Sequence, residues 1–243
     1  LAKVTLSKAE RRRLGDLVDR LRHELEQLAT DEQDKLEWYI EEMQKRASKL
    51  PEQSLPFFYE KLVECLFGGG MKVQTVDAHW LAFEEAFREF DPVAVSTCTV
   101  QELLQVPGII KHEGKLRGCI LAANFFLEIE CEFGTFYSFL QRFGISSTPP
   151  IERWSIVCLL ANRIPWVGTA VACDFLKEVG LTTYAKPDVH VKRALYRHDL
   201  TSVEKEDDFI CFVEVDKLAQ ASGLEAAYVD RILWVRGQKF GRW

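Results

Sequence analysis

The stretch Ile164-Pro165-Trp166-Val167-Gly168-Thr169 decides how this chain is read. Residues 154–163 before it carry apolar side chains at helical spacing, and a second helical pattern starts at once at Thr169 and runs to about residue 179. Pro165 and Gly168 interrupt the periodicity, so a short hairpin joins the two helices. The first turn of the second helix has backbone N–H groups without intrahelical acceptors, at the positive end of the helix dipole. A corner of that kind binds a phosphate oxygen, which makes Trp166, Gly168 and Thr169 candidate binding residues. Trp166 is read as packed between the two helices, with the backbone amides around it making the contact.

Outward from the hairpin the pattern stays helical, with almost no two-residue alternation. Ser7 and Glu10 form a capping box ahead of Leu14, Leu17, Val18, Leu21, Leu25 and Leu28. A second amphipathic helix is predicted over about 31–50 and stopped by Pro51; a third, 56–67, ends at Gly68-Gly69-Gly70, which can fold tightly or let a ligand approach. Further helices are expected at about 75–90, 99–105, 115–131, 133–143, 189–197, 204–221 and 224–236, although 209–215 is apolar enough to pass for a strand. The class is all-α. Residues 1–56 are expected to pack with 201–243 as one lobe, and 57–200 to form a core that holds the hairpin, 154–180, and the segment 186–193.

The chain has 243 residues, 47% of them apolar, with 31 Lys and Arg against 37 Asp and Glu. That composition excludes a disordered chain, and no apolar run approaches the roughly 20 residues that span a bilayer. Seven scattered cysteines without a C-x-x-C pair read as reduced, buried thiols rather than a zinc or iron–sulfur site. The start, Leu1-Ala2-Lys3-Val4, leads directly into a charged amphipathic segment, so an intracellular, cytoplasmic address is expected. A net charge of -6 argues against a general nucleic-acid coat. Only residues 151–200 are net positive, with 7 basic and 5 acidic side chains. Any contact with nucleic acid must therefore be local.

The hairpin resembles the helix-hairpin-helix motif, and Lys186-Pro187-Asp188-Val189-His190-Val191-Lys192-Arg193 resembles the segment that carries the essential Asp in helix-hairpin-helix DNA glycosylases. The stretches Phe67-Gly68-Gly69-Gly70-Met71, Phe87-Arg88-Glu89-Phe90-Asp91-Pro92-Val93-Ala94-Val95 and Gly108-Ile109-Ile110-Lys111-His112-Glu113-Gly114-Lys115 are similar to the 3-methyladenine DNA glycosylase I family. That family also tends to have an aromatic residue before Val-Gly-Thr, as Trp166 stands here. The resemblance runs from about Phe57 to Arg197 and implies a two-lobed helical bundle with the HhH-GPD fold. It also implies removal of a damaged base from double-stranded DNA by a monomer. No cofactor is implied beyond a structural monovalent cation at the hairpin backbone.

The chain departs from the family where the base is read. The family uses a Glu before the glycine turn and a Trp after it; here Glu64 or Cys65 stands at the first place and Val73 at the second. The lost ring removes stacking worth roughly 1–3 kcal/mol per base and implies a wider pocket. The family's zinc clip needs Cys and His near the N-terminus, where only His23 is available, so no zinc is expected.

The chemistry follows from charge. Breaking an N-glycosidic bond builds positive charge on the deoxyribose, which a carboxylate beside the sugar stabilises while it orients or deprotonates the attacking water. Asp188 is the candidate; its competing role is an N-cap of the following helix. Bifunctional members of the superfamily carry a Lys just after the hairpin, where this chain has Ala170, so a monofunctional hydrolase that leaves an abasic site is implied. Lys186 is read as a phosphate contact or a solvated lysine.

Base-pocket candidates are Glu64, Gly69, Gly70, Met71, Val73, Tyr184 and His190, with Tyr184 alternatively core, Glu64 alternatively helix surface and His190 pointing into the bundle. Met71, Ile109 or Ile110 could fill the gap left by a flipped base, and core packing is the alternative. Lys111, His112 and Lys115 are candidate phosphate contacts or simply a solvated loop. The default substrate is an alkylated purine. A bulky enzymatically modified base in foreign or phage DNA is the alternative, and a non-catalytic DNA-binding helix-hairpin-helix protein is the reading from another class.

Overall fold

A computed structural model describes residues 5–28, 35–143 and 149–239. Among the described residues every regular element is a helix. They are α1 (Lys8–Leu28), α2 (Leu36–Lys49), α3 (Leu55–Gly68), α4 (Val73–Asp77), α5 (Trp80–Ala86), α6 (Pro92–Ser96), α7 (Val100–Gln105), α8 (Glu113–Phe133), α9 (Phe136–Arg142), α10 (Pro150–Arg163), α11 (Thr169–Glu178), α12 (Val189–Arg197), α13 (Asp208–Ser222) and α14 (Ala226–Lys239). A 3-10 turn, Leu50–Glu52, stands between α2 and α3. None of these helices is long and apolar enough to cross a membrane.

The chain divides into two compact units. The first takes its described residues from 1–49, 145–154 and 176–243; the second takes them from 50–144 and 155–175. The Asp188 segment thus belongs to the unit that contains the N- and C-terminal helices, and the hairpin tip belongs to the other.

In the first unit the apolar stripe of α1, Leu14, Leu17, Val18, Leu21 and Leu25, is buried with Leu36 and Met43 of α2, Val191 and Leu195 of α12, Val215 of α13 and Ile232 of α14. Arg153 is buried too: its guanidinium donates to the Thr183 carbonyl and pairs with Asp216 at 2.5 Å. The second unit is built on phenylalanine. Phe126 stacks on Phe136 at 4.5 Å between ring centres, and Phe67 packs on Phe83 at 4.5 Å. Burying such rings is the main favourable term in its stability.

Helix starts follow local chemistry. Thr99 and Glu102 make the reciprocal capping box: the Thr99 N–H donates to the carboxylate at 2.6 Å, and the Glu102 N–H donates to the hydroxyl at 3.2 Å. The Thr99 N–H, and after it the hydroxyl, hold the Glu102 carboxyl below the usual carboxylate range. Asp207 caps α13, which therefore begins at Asp208 rather than near 204, and 209–215 is helical, not a strand.

The single helix expected over 75–90 is two, α4 and α5, and ends early. Arg88, Glu89 and Phe90 all have left-handed φ, between 51 and 59°. That turn costs about 1–2 kcal/mol per residue. It buries Phe90 against Trp80 at 5.3 Å and delivers the chain to the Asp91 cap and Pro92 of α6. The thiols are less uniform than expected: Cys131 is exposed and Cys98 and Cys158 are half-buried, because these three lie on outward helix faces or helix ends.

Candidate active site and base pocket

Asp188 stands at the start of α12. Its Oδ1 accepts from the His190 N–H at 2.8 Å and the Val191 N–H at 3.0 Å. It is therefore the cap that one reading proposed. Both bonds go to one oxygen, however, and Oδ2 makes no hydrogen bond among the described residues. Capping and chemistry do not compete for the same atom.

The loop that carries Asp188 is held from behind. Asp230 of α14 is 2% exposed; its Oδ1 accepts from the Lys186 N–H at 3.2 Å and its Oδ2 takes the Lys177 ammonium at 2.8 Å. Lys186 thus engages the fold through its backbone. Tyr184 is fully buried, and its hydroxyl donates to the Arg153 carbonyl at 3.2 Å. It covers core and lines no pocket. His190 is half-buried in the first turn of α12.

In the second unit the hairpin closes with the Val167 N–H on the Ile164 carbonyl at 3.1 Å. Its left-handed position is taken by Trp166, at φ 69°, and not by Gly168. The expectation that Trp166 packs between the helices does not hold: it is 56% exposed, because the left-handed backbone turns the residue outward at the tip. One part of the indole lies over the bare backbone of α8. A Cβ on Gly114 would meet the ring at 2.5 Å, and a Cβ on Gly118 would meet the Pro165 carbonyl oxygen at 2.6 Å. Two glycines four residues apart let hairpin and helix touch at backbone distance.

Beside Trp166 opens a cavity of about 310 Å³. Gly69, Gly70 and Met71 form one wall with Leu66 and Val171. His112 and Lys115 complete it. His112 packs edge-on to Trp166 at 4.7 Å, and its Nδ1 accepts from the Lys115 N–H at 3.2 Å, so the ring proton sits on Nε2. Lys115 is not a solvated loop residue. It is 6% exposed, and its ammonium donates to the Gly69 carbonyl at 2.6 Å and the Phe67 carbonyl at 3.4 Å. Burial lowers its pKa from the ordinary lysine value.

The remaining candidates lie elsewhere. Glu64 pairs with Lys61 at 2.7 Å and does not line the cavity. Val73 is 52% exposed at the start of α4, Lys111 is exposed, and Ile109 is core. Among the described residues no cluster of three or more His, Cys, Asp or Glu side chains could hold a metal.

The family described as methyladenine glycosylase matches residues 50–183, more than half of the sequence. The chain belongs to that family. The methyladenine glycosylase match takes in the whole second unit and stops five residues before Asp188. DNA-3-methyladenine glycosylase 1 of Escherichia coli (strain K12) is 26% identical over 152 residues, which cover 54% of this chain and 80% of that protein. The 3-methyladenine DNA glycosylase I of Staphylococcus aureus is 24% identical, with a TM-score of 0.45 over 51% of this chain and 75% of that one. The 8-oxoguanine DNA glycosylase of Methanocaldococcus jannaschii is 15% identical but covers 92% of this chain and 95% of its own, with a TM-score of 0.59. The last likeness is one of fold alone, an all-α architecture.

The sequence reading missed Leu66, Val171, Gly114 and Asp230. Gly114 and Gly118 were legible as two costly helix glycines on one face, a sign of close approach. Asp230 had no such signal, since an Asp in a helix is ordinarily solvated.

Proposed function

We propose that this protein is a monofunctional DNA glycosylase that hydrolyses the N-glycosidic bond of a damaged or modified base in double-stranded DNA. The observation that carries the reading is Asp188, a carboxylate with one oxygen committed to the α12 cap and the other uncommitted, just beyond a family match that covers the hairpin. The C1′–N bond breaks with its electron pair leaving on the base, and the carboxylate stabilises the sugar cation. Water adds to C1′ through its oxygen, Asp188 accepts the proton that this water gives up, and the departed base takes up a proton from Asp188 or from solvent. Ala170 offers no amine, which supports hydrolysis without strand cleavage.

The N-terminal turn of α11 is assigned to a DNA phosphate, with Trp166, Gly168 and Thr169 at the contact and Lys111 as a supporting cation. The second unit's cavity is assigned to the displaced base. An alkylated purine is the family's default, with a bulky enzymatically modified base in foreign DNA as the alternative.

The test is base release from alkylated, oxidised, deaminated and hypermodified duplexes, scored as alkali-sensitive abasic sites. The wild type should release at least one base, and Asp188→Asn should lose the activity by on the order of a thousandfold. Release from no duplex, or equal release by the variant, refutes the assignment. Strand cleavage without alkali refutes the monofunctional part.

A further inference from the structure

We propose that the cavity of the second unit reads bases by charge: its buried Lys115 ammonium selects an uncharged base that presents a carbonyl oxygen and rejects a cationic N-alkylated base. This deepens the glycosylase reading and takes from it that the ligand is a base. The physical basis lies in the lining. No Asp or Glu borders the cavity; Leu66, Met71 and Val171 are apolar, Trp166 supplies an aromatic wall, and the formal charge there is on Lys115. Two protons of the ammonium are held by the Gly69 and Phe67 carbonyls, and the third has no acceptor among the described residues. A carbonyl oxygen on a base edge satisfies it; a cationic ring would face a like charge without a counterion.

A phosphate is the other source of acceptor oxygens, but apolar and aromatic walls suit a flat ring and offer a phosphate one buried cation. The volume, about 310 Å³, is at the lower end for ligand pockets and leaves room for a single base.

The test uses a matched pair. 1-Methyladenosine is cationic at neutral pH; 1-methylinosine has the same shape, no charge and a carbonyl oxygen where the other has nitrogen. Both, with inosine and inorganic phosphate, are titrated into the 15N-labelled full chain. The readout is the Trp166 indole N–H resonance, identified by its loss in Trp166→Phe. Inosine and 1-methylinosine should shift it, and 1-methyladenosine should bind more weakly by about tenfold or more, the worth of a charged hydrogen bond. Lys115→Met should abolish the discrimination and Lys115→Arg should keep it, which separates charge from folding, since both variants disturb the contacts to Phe67 and Gly69.

Equal affinity within the matched pair, no shift with inosine, or displacement of inosine by phosphate overturns the proposal. In a second arm, duplexes carrying hypoxanthine or 1-methyladenine are assayed for base release. Discrimination in the titration with no release from any duplex refutes the glycosylase reading and leaves the pocket assignment standing. Release of 1-methyladenine as fast as hypoxanthine refutes the charge selection alone.

Discussion

Asp230→Ala probes the support of the Asp188 loop. Lys177 and Asp230 are both nearly buried and 2.8 Å apart, so truncating one partner leaves an ammonium without its main counterion. Breaking a buried pair costs about 3–5 kcal/mol. Glu178 stays 3.8 Å from the Lys177 nitrogen and retains part of the attraction, which sets the expectation near the lower end, about 3 kcal/mol. With a urea slope of about 3 kcal/mol per molar, the midpoint should fall by about 1 M. Asp230→Asn keeps an acceptor for the Lys186 N–H and loses only the charge, so the difference between the variants isolates the loop anchor. Lys177→Met combined with Asp230→Leu should recover stability to within about 1 kcal/mol of wild type, because an apolar pair of similar volume replaces the ions. A loss under about 1 kcal/mol for Asp230→Ala, measured by far-UV circular dichroism in urea, refutes the reasoning.

Asp188→Asn should leave the urea midpoint nearly unchanged, since Asn caps as well as Asp, whereas Asp188→Ala should cost about 1 kcal/mol; a large loss in the Asn variant would mean that the charge is structural. Trp166→Gly relieves a left-handed non-glycine residue, worth about 1–2 kcal/mol, but gives up the indole's packing on Gly114 and His112, so stability should change by less than about 1 kcal/mol while binding of duplex weakens; calorimetry with a DNA titration reads both, and a loss of more than about 2 kcal/mol would contradict the strain argument. Gly114→Ala should displace the indole and cost about 1–3 kcal/mol, seen as a changed Trp166 indole resonance and a lowered melting temperature. Burial lowers the Lys115 pKa, with Cys119 opposing and His112 beside it, so the affinity for 1-methylinosine, which carries no titrating group in this range, should fall as pH rises at values below the ordinary 10.5. In the same window the unfolded chain binds more protons, so this group's contribution to stability rises with pH; 1-methylinosine affinity that stays undiminished above 10.5 would refute a lysine origin.

Much of the fold was legible because helical periodicity and caps are local. The Thr99–Glu102 box, the Gly68-Gly69-Gly70 stop and the hairpin at Pro165 all stand where their chemistry puts them. The left-handed turn at Arg88–Phe90 was illegible, since no Gly or Asn marks it and burial of Phe90 imposes it from a distance. At the site, the glycine wall and the Asp188 segment could be read from the sequence. Lys115 was misread as a surface cation because its burial depends on α3 ending against α8, a tertiary fact. Glu64 and Tyr184 were assigned by type; one pairs with Lys61 and the other closes on Arg153, choices that periodicity cannot reveal.

The bare contact of the hairpin with α8 has a mechanical meaning. Where side chains separate two elements, rotamer changes absorb small displacements; at Gly118, where the Pro165 carbonyl meets the helix backbone, there is none to change. A shift of the hairpin at Pro165 therefore passes without slack into α8. Lys115 stands in the first turn of that helix, one residue beyond Gly114, with its ammonium at the cavity wall. The hairpin and the Lys115 side chain are therefore geared together within a single rigid corner.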